Sequence, residues 1–299
     1  MEKYNKILNS RLNRNKNHIE RELKRILYDI IAPKVLKEVM FYAVLNGGKR
    51  IRPFILSEVA KLYNISSRVY KYPSMAIEMV HCFSLIYDDL PCMDNDDIRR
   101  GKPTVHVKFN EANALLGGAS LLVFSYQLLT HRYFKVPDKI KNILIEDFSN
   151  AIGAEGMLAG QFLDLEAEDH TFNLTLKKFK KIQEMKTSLL IALCTKTGAI
   201  LGEASKKEQD LLYDFGVMLG RIFQIRDDIL DLEGNEIQMG KKIKKDHKLN
   251  KATIIRLKGI DYAKKELLLL AKDAKNKLKN FRRDTKTFPE MINACALLT

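Results

Sequence analysis

Between Asp88 and Arg100 the chain collects five aspartates and two arginines, Asp88, Asp89, Asp94, Asp96, Asp97, Arg99 and Arg100, directly behind an apolar run. Carboxylates this close repel and raise one another's pKa unless positive charge sits among them. Hard divalent cations with oxygen ligands, Mg²⁺ foremost, answer that need. A second cluster with a similar apolar lead-in follows far downstream, Gln224-Ile225-Arg226-Asp227-Asp228-Ile229-Leu230-Asp231. On a helix Asp227 and Asp231 share one face, with Gln224 one turn before. Two such clusters predict one metal site built from two sides.

Cations accompany the carboxylates. Gly47-Gly48-Lys49-Arg50-Ile51-Arg52-Pro53 pairs two glycines, which let a backbone approach an anion, with three cations that can hold it. Arg99-Arg100-Gly101-Lys102 adds more in a turn-rich loop, and Lys186, Lys241 and Lys251 follow. Gly160, Gln161 and Asp164, then Gln183, Lys186 and Thr187, interrupt apolar helices with polar groups, as a polar cleft requires. His81 precedes Asp88 by two helical turns and shares its face. Carboxylates hold Mg²⁺ incompletely and leave it room for phosphate oxygens, so such a site can bind a diphosphate and make it a leaving group. No phosphate-cradling glycine loop, G-x-S-x-G elbow or Cys/His nucleophile pattern is present. The remaining surroundings are apolar, so the expected substrate is a hydrophobic diphosphate.

Long helices must position these groups. The 299-residue chain has 46% hydrophobic residues but only 15 Gly and 7 Pro, too little punctuation for many turns, and no linker divides it. One all-α domain over 1–299 is expected. Apolar spacing predicts helices over Ile7–Tyr28, Pro33–Leu45, Ser74–Asp89, Glu111–Tyr133, Pro137–Leu163, Leu176–Leu201, Lys207–Leu232, Lys251–Ile255 and Tyr262–Phe281. Pro91 must end the helix bearing Asp88 near Leu90, and that break lets Asp94 return toward Asp88.

The net charge of +14 is spread along the chain, and without a recognisable binding motif a nucleic-acid partner is not expected. Cys82, Cys92, Cys194 and Cys295 lack metal or disulfide spacing, the first 25 residues lack an apolar signal core, and no apolar run reaches about 18 residues. A cytoplasmic protein without an integral membrane segment is expected.

The segment Asp88-Asp89-Leu90-Pro91-Cys92-Met93-Asp94 through Thr104 resembles the first aspartate-rich motif of the trans-isoprenyl diphosphate synthases, and Asp227-Asp228-x-x-Asp231 resembles the second. The segments Gly47-Gly48-Lys49-Arg50-x-Arg52-Pro53, Gly160-Gln161-x-x-Asp164 and Lys186-Thr187 match the same family in order, so the similarity spans about residues 30 to 255. The resemblance implies a single large helical bundle around a deep central cavity, usually a homodimer. It implies that Asp88, Asp94 and Asp227 bridge several Mg²⁺ ions, or Mn²⁺, to an allylic diphosphate, with Asp89, Asp228 and Lys186 as further catalytic residues. Arg99, Lys186, Thr187, Gln224 and Lys241 would hold that diphosphate, Gly48, Lys49, Arg52, His81 and Arg100 the homoallylic isopentenyl diphosphate, and Lys251 would be a further substrate-binding residue. Chain length would be set by Phe83, five residues before Asp88, with small Ser84 beside it, an aromatic floor that stops growth at fifteen carbons. The implied activity is condensation of isopentenyl diphosphate with dimethylallyl and geranyl diphosphates to farnesyl diphosphate. The alternatives are a ten- or twenty-carbon product, a terpene cyclase or a non-catalytic synthase subunit. Two stretches depart from the family pattern: Asn250 to Ile255 keeps only Lys251 and Thr253, and Phe288 to Cys295 lacks the usual basic-ended terminal helix.

Overall fold

A computed structural model describes residues 2–167, 174–233, 253–279, 281 and 283–296. Fourteen α-helices account for most of them: α1 Glu2–Tyr28, α2 Lys34–Leu45, α3 Ile51–Leu62, α4 Ser67–Asp88, α5 Val105–Phe109, α6 Glu111–Leu129, α7 Asp138–Ile152, α8 Met157–Glu166, α9 Leu176–Gln183, α10 Leu189–Leu201, α11 Lys206–Glu233, α12 Ile254–Lys258, α13 Ile260–Lys279 and α14 Thr287–Ala296. A π-helical turn, Glu184–Ser188, joins α9 to α10. The all-helical expectation is met, with one addition: a two-residue antiparallel pair, β1 Ile98–Arg99 and β2 Lys102–Pro103.

The core rests on two helices buried nearly all round. α3 buries every residue from Pro53 to Ala60, and α10 buries all of Leu190 to Leu201 except Lys196. α4 packs on α6, α10 on α11, and α3 on both α4 and α10. Around them α1 presents a single stripe, Leu8, Ile19, Leu23 and Leu27. Small residues allow the closest approaches: a Cβ on Gly216 would fall 2.5 Å from Ala192 Cα, and one on Gly220 the same distance from Ser188 Cα, so α11 lies almost directly on the backbone of α10 and of the π turn before it.

Four sequence readings are corrected here. α3 was not expected, because a helix buried on all sides has no polar stripe and hence no amphipathic period. α4 starts at Ser67, capped by the Ser66 hydroxyl, and runs through Pro73, whose lost N–H is offset by burial of Tyr72 through Val80. The single helix expected over Pro137–Leu163 is broken between α7 and α8. There a Cβ on Gly153 would meet the Ser149 carbonyl at 2.7 Å and one on Gly156 the Ala151 carbonyl at 2.2 Å. The helix expected over Leu176–Leu201 carries the π turn in its middle. In addition, α6 proves long and apolar enough to cross a membrane by length and composition, contrary to the reading of apolar runs; here it packs on α4 with Ala114, Leu121, Leu128 and Leu129 buried.

Candidate active site

The aspartate-rich loop is built by the end of α4. Past Asp88 the chain folds back on the helix end: Asp94 N donates to Asp88 O at 2.8 Å, Asn95 N to Leu90 O at 3.1 Å and Asp96 N to Asp89 O at 3.1 Å. The break at Pro91 thus brings Asp94 against Asp88, as its position implied. Burial, together with Asp94 and Asp89, lifts the Asp88 carboxyl to about 6, although Lys186 and Arg99 pull the other way. Asp89 is only 3% exposed and faces Arg99, which donates through Nε and Nη2 at 2.6 Å and also approaches Asp96 at 3.6 Å. Desolvation would lower the Arg99 pKa, but the Asp89 carboxylate overrides it and holds the guanidinium above its ordinary value.

Arg100 and Gly101 form the turn between β1 and β2 with φ of 55° and 74°, the left-handed pair of a two-residue hairpin. That turn throws the Arg100 side chain across to the glycine pair, where Nη1 donates to Gly47 O at 2.6 Å. Gly48 is required by its backbone (φ 110°), and a Cβ there would fall 2.8 Å from the Arg100 guanidinium and displace it. The three cations that follow separate in role. Arg50, left-handed at φ 54°, turns inward and donates to Glu78 (2.6 Å), Glu20 (3.1 Å) and the Val44 carbonyl (2.5 Å). It ties the loop to α4. Lys49 is exposed, and Arg52 keeps its Nε buried without a hydrogen-bond partner, as an awaiting anion site would. His81 sits beside them and is held neutral, its pKa pushed well below 6.5 by burial and by the charges of Arg52, Arg100, Arg99 and Arg50.

The opposite wall comes from α8, the π turn and α11. A Cβ on Gly160 would fall 2.3 Å from Lys186 N, so α8 rests on the backbone of the π turn. One turn along α8, Asp164 accepts from Lys186 Nζ at 2.6 Å. Burial would lower the Lys186 pKa, but Asp164, then Asp88 and Asp94, raise it above the ordinary lysine value. Lys186 therefore lies between the carboxylates of α8 and those of the α4 loop. Thr187 donates to Gln224 at 3.1 Å, Gln224 donates to Asp228 at 2.9 Å, and Asp228 also accepts from Ile254 N at 3.2 Å. Asp228 and Asp231 are buried while Asp227 is exposed, which separates a supporting carboxylate, Asp228, from the one turned outward. Phe83 is buried with its ring against Tyr87, and the Ser84 hydroxyl folds back onto the His81 carbonyl at 2.9 Å. Lys241 and Lys251 lie outside the described residues. The C-terminal α14 reaches this region: the charges of Arg226, Asp227 and Lys49 act on the Cys295 thiol, which burial pushes up to about 12.

Among the described residues no three carboxylate, imidazole or thiol groups converge on one point. The donor chemistry still fits Mg²⁺, which takes one or two carboxylates and completes its shell with water and substrate phosphate. Asp88 supplies the specific observation, a carboxylate pressed toward neutrality by burial and by its acidic neighbours. Sequence reasoning placed Arg50 among the anion-holding cations and Asp164 in a polar cleft, and missed that each supports the site instead, Arg50 through Glu78 and Asp164 through Lys186. The spacing of Gly160 and Asp164, one helical turn, was the available signal for the second; nothing local marks Arg50 as inward-facing.

The Polyprenyl synthetase family profile matches residues 33–292. A farnesyl diphosphate synthase from Geobacillus stearothermophilus is 41% identical over 270 residues, 90% of each chain. Among solved structures, an FPP/GFPP synthase from Zymomonas mobilis superposes with a TM-score of 0.85 at 31% identity, covering 97% of this chain and 100% of the other. A geranyltransferase from Helicobacter pylori complexed with magnesium and isoprenyl diphosphate gives 0.83 at 30% identity, covering 96% of each. With the aspartate loop, the glycine-flanked cations and the lysine on its π turn arranged as described, the chain belongs to the polyprenyl synthetase family.

Proposed function

We propose that this chain, acting as one domain in the cytoplasm, condenses isopentenyl diphosphate with dimethylallyl and then geranyl diphosphate to give farnesyl diphosphate. The observation that carries the reading is Lys186 held between Asp164 on one side and Asp88 and Asp94 on the other, a cation poised where a diphosphate would meet metal. Asp88, Asp94 and Asp227 would hold Mg²⁺, which neutralises the leaving diphosphate when bound. Lys186, Thr187, Gln224 and the remaining N–H groups of Arg99 orient the allylic diphosphate, with Asp228 fixing Gln224. Lys49, Arg52, Arg100 and neutral His81 receive isopentenyl diphosphate. The allylic C–O bond breaks with its electron pair going to diphosphate. The isopentenyl double bond attacks the resulting allylic cation, and a proton passes to the released diphosphate.

Incubation of the protein with labelled isopentenyl diphosphate, geranyl diphosphate and Mg²⁺ is expected to give mainly C15 product, and Phe83→Ala to lengthen it. No elongation would overturn the transferase reading; mainly C20 from the parent protein would overturn the floor at Phe83.

The partner proposed is a second copy of this chain. Leu115, Leu116 and Val123 of α6 are 43–69% exposed, and Leu116 and Val123 line a groove of about 1070 Å³ between α1, α4 and α6 whose walls include none of the candidate site residues. Three exposed apolar side chains within nine residues of one helix call for a partner surface. Light scattering is expected to give the mass of a dimer, and Val123→Glu that of a monomer.

A further inference from the structure

We propose that Tyr87 is a positioning residue for product length, holding the Phe83 ring in place from behind; the inference rests on the reading of Phe83 as the floor. Phe83 and Tyr87 stand at i and i+4 on α4 and therefore share a face. Their rings lie 4.6 Å apart, tilted by 58°. Phe83 has no polar atom by which to fix its own rotamer, so its orientation depends on what it touches. Tyr87 is itself fixed from two further directions. Its hydroxyl donates to the Leu115 carbonyl of α6 at 3.2 Å. Its ring edge lies on the backbone of Gly118, where an added Cβ would stand 2.6 Å from Cε2 and 2.9 Å from Cδ2.

Gly118 thus opens a slot in α6 that admits the Tyr87 ring, and the slot sets how far Tyr87 stands back from Phe83. An aromatic pair of this geometry biases rotamer populations roughly two- to tenfold. That is enough to move a product ratio, because growth beyond fifteen carbons requires only that Phe83 yield in a fraction of catalytic cycles. Tyr87 also lies one residue before Asp88, so the same helical turn that carries the metal-facing carboxylate carries the support of the floor.

The test is product analysis of Tyr87→Ala, Tyr87→Phe, Phe83→Ala and the double variant Tyr87→Ala/Phe83→Ala, each with geranyl diphosphate as starter. Tyr87→Ala is expected to raise the C20 to C15 ratio roughly fivefold or more, and Tyr87→Phe, which keeps the ring, to restore most of the parent ratio. In the Phe83→Ala background, Tyr87→Ala should change the ratio by less than about twofold, since a residue acting through Phe83 has nothing left to act on. Two results overturn the proposal: an unchanged ratio in Tyr87→Ala while Phe83→Ala makes C20, or an equal increment from Tyr87→Ala in both backgrounds, which would place Tyr87 in direct contact with the growing chain. If Phe83→Ala itself still stops at C15, the floor reading fails and the support role falls with it, a result distinct from either. Should Tyr87→Ala not fold, Tyr87→Leu removes the stack and the hydroxyl while keeping most of the volume, and is held to the same criteria.

Discussion

Replacing Asp88 by Asn is expected to lower turnover by about 10³-fold and, without Mg²⁺, to make the protein more stable at pH 7.5. The activity loss follows from removing a carboxylate that would hold Mg²⁺ against the leaving diphosphate, where one electrostatic contact is worth about 10²–10³ in rate. The gain in stability follows from the pKa. Burial and the neighbouring aspartates lift Asp88 from 3.8 to about 6. For an acid raised on folding, the ionised form is the disfavoured one. Asp88 therefore costs stability above about pH 6, and the cost fades as pH falls through 6 toward 3.8 and the carboxyl takes up a proton. Allowing for the partial exposure of the side chain, the cost is about 1–2 kcal/mol. The Asn variant should thus melt a few degrees higher at pH 7.5 and converge with the parent near pH 4. Added Mg²⁺ should raise the melting temperature of the parent but not of the variant, since only a state that binds the ion gains from it. Thermal melts at the two pH values, with and without Mg²⁺, separate the two effects. A variant that melts lower than the parent at pH 7.5 would show Asp88 already stabilised by its cationic neighbours.

The acidic and basic clusters were legible because like charges packed behind apolar helices need a physical reason, and few reasons exist. The break at Pro91 gave the return of Asp94 to Asp88, while Lys186 joined them only through the motifs that resemble the family's. What stayed hidden depends on packing at a distance. Arg50 and Arg52 are two residues apart and chemically alike, yet one is buried against Glu78 and the other keeps Nε without a partner. Only the position of α4 decides which. Likewise Asp89 and Asp228 read as two more carboxylates of the metal clusters, but Asp89 is taken up by Arg99 and Asp228 by Gln224 and the α12 N-terminus. They orient the groups that face the site. The π turn at Lys186 has no compositional mark at all, since its residues would suit an ordinary helix.

That turn makes Gly160→Ala the second change of large effect. The added Cβ would meet Lys186 N at 2.3 Å and Met185 C at 2.7 Å, and both are backbone, which cannot swing aside as a side chain can. α8 or the π turn must move by roughly 1 Å, and overpacking of this kind costs about 1–3 kcal/mol. The displacement acts where it matters most. Asp164 is one turn along from Gly160 and holds Lys186 at 2.6 Å, while Thr187, next in the turn, holds Gln224. Moving the turn therefore shifts two groups assigned to the allylic diphosphate at once, and a misplacement of about 1 Å costs on the order of 10²-fold in rate. The groups assigned to isopentenyl diphosphate, Lys49, Arg52 and His81, stand on the segment into α3 and on α4, whereas α8 packs chiefly on the π turn, α9 and α7. The expected result is a kcat lower by about 10²-fold and a raised KM for the allylic substrate, with KM for isopentenyl diphosphate changed less than about threefold. Steady-state kinetics with each substrate varied in turn reads this split. Equal rises in both KM values would mean that α8 supports the whole cavity rather than the wall bearing Lys186, and a kcat within threefold of the parent would mean that the close approach at Gly160 is not needed for Lys186 to reach its place.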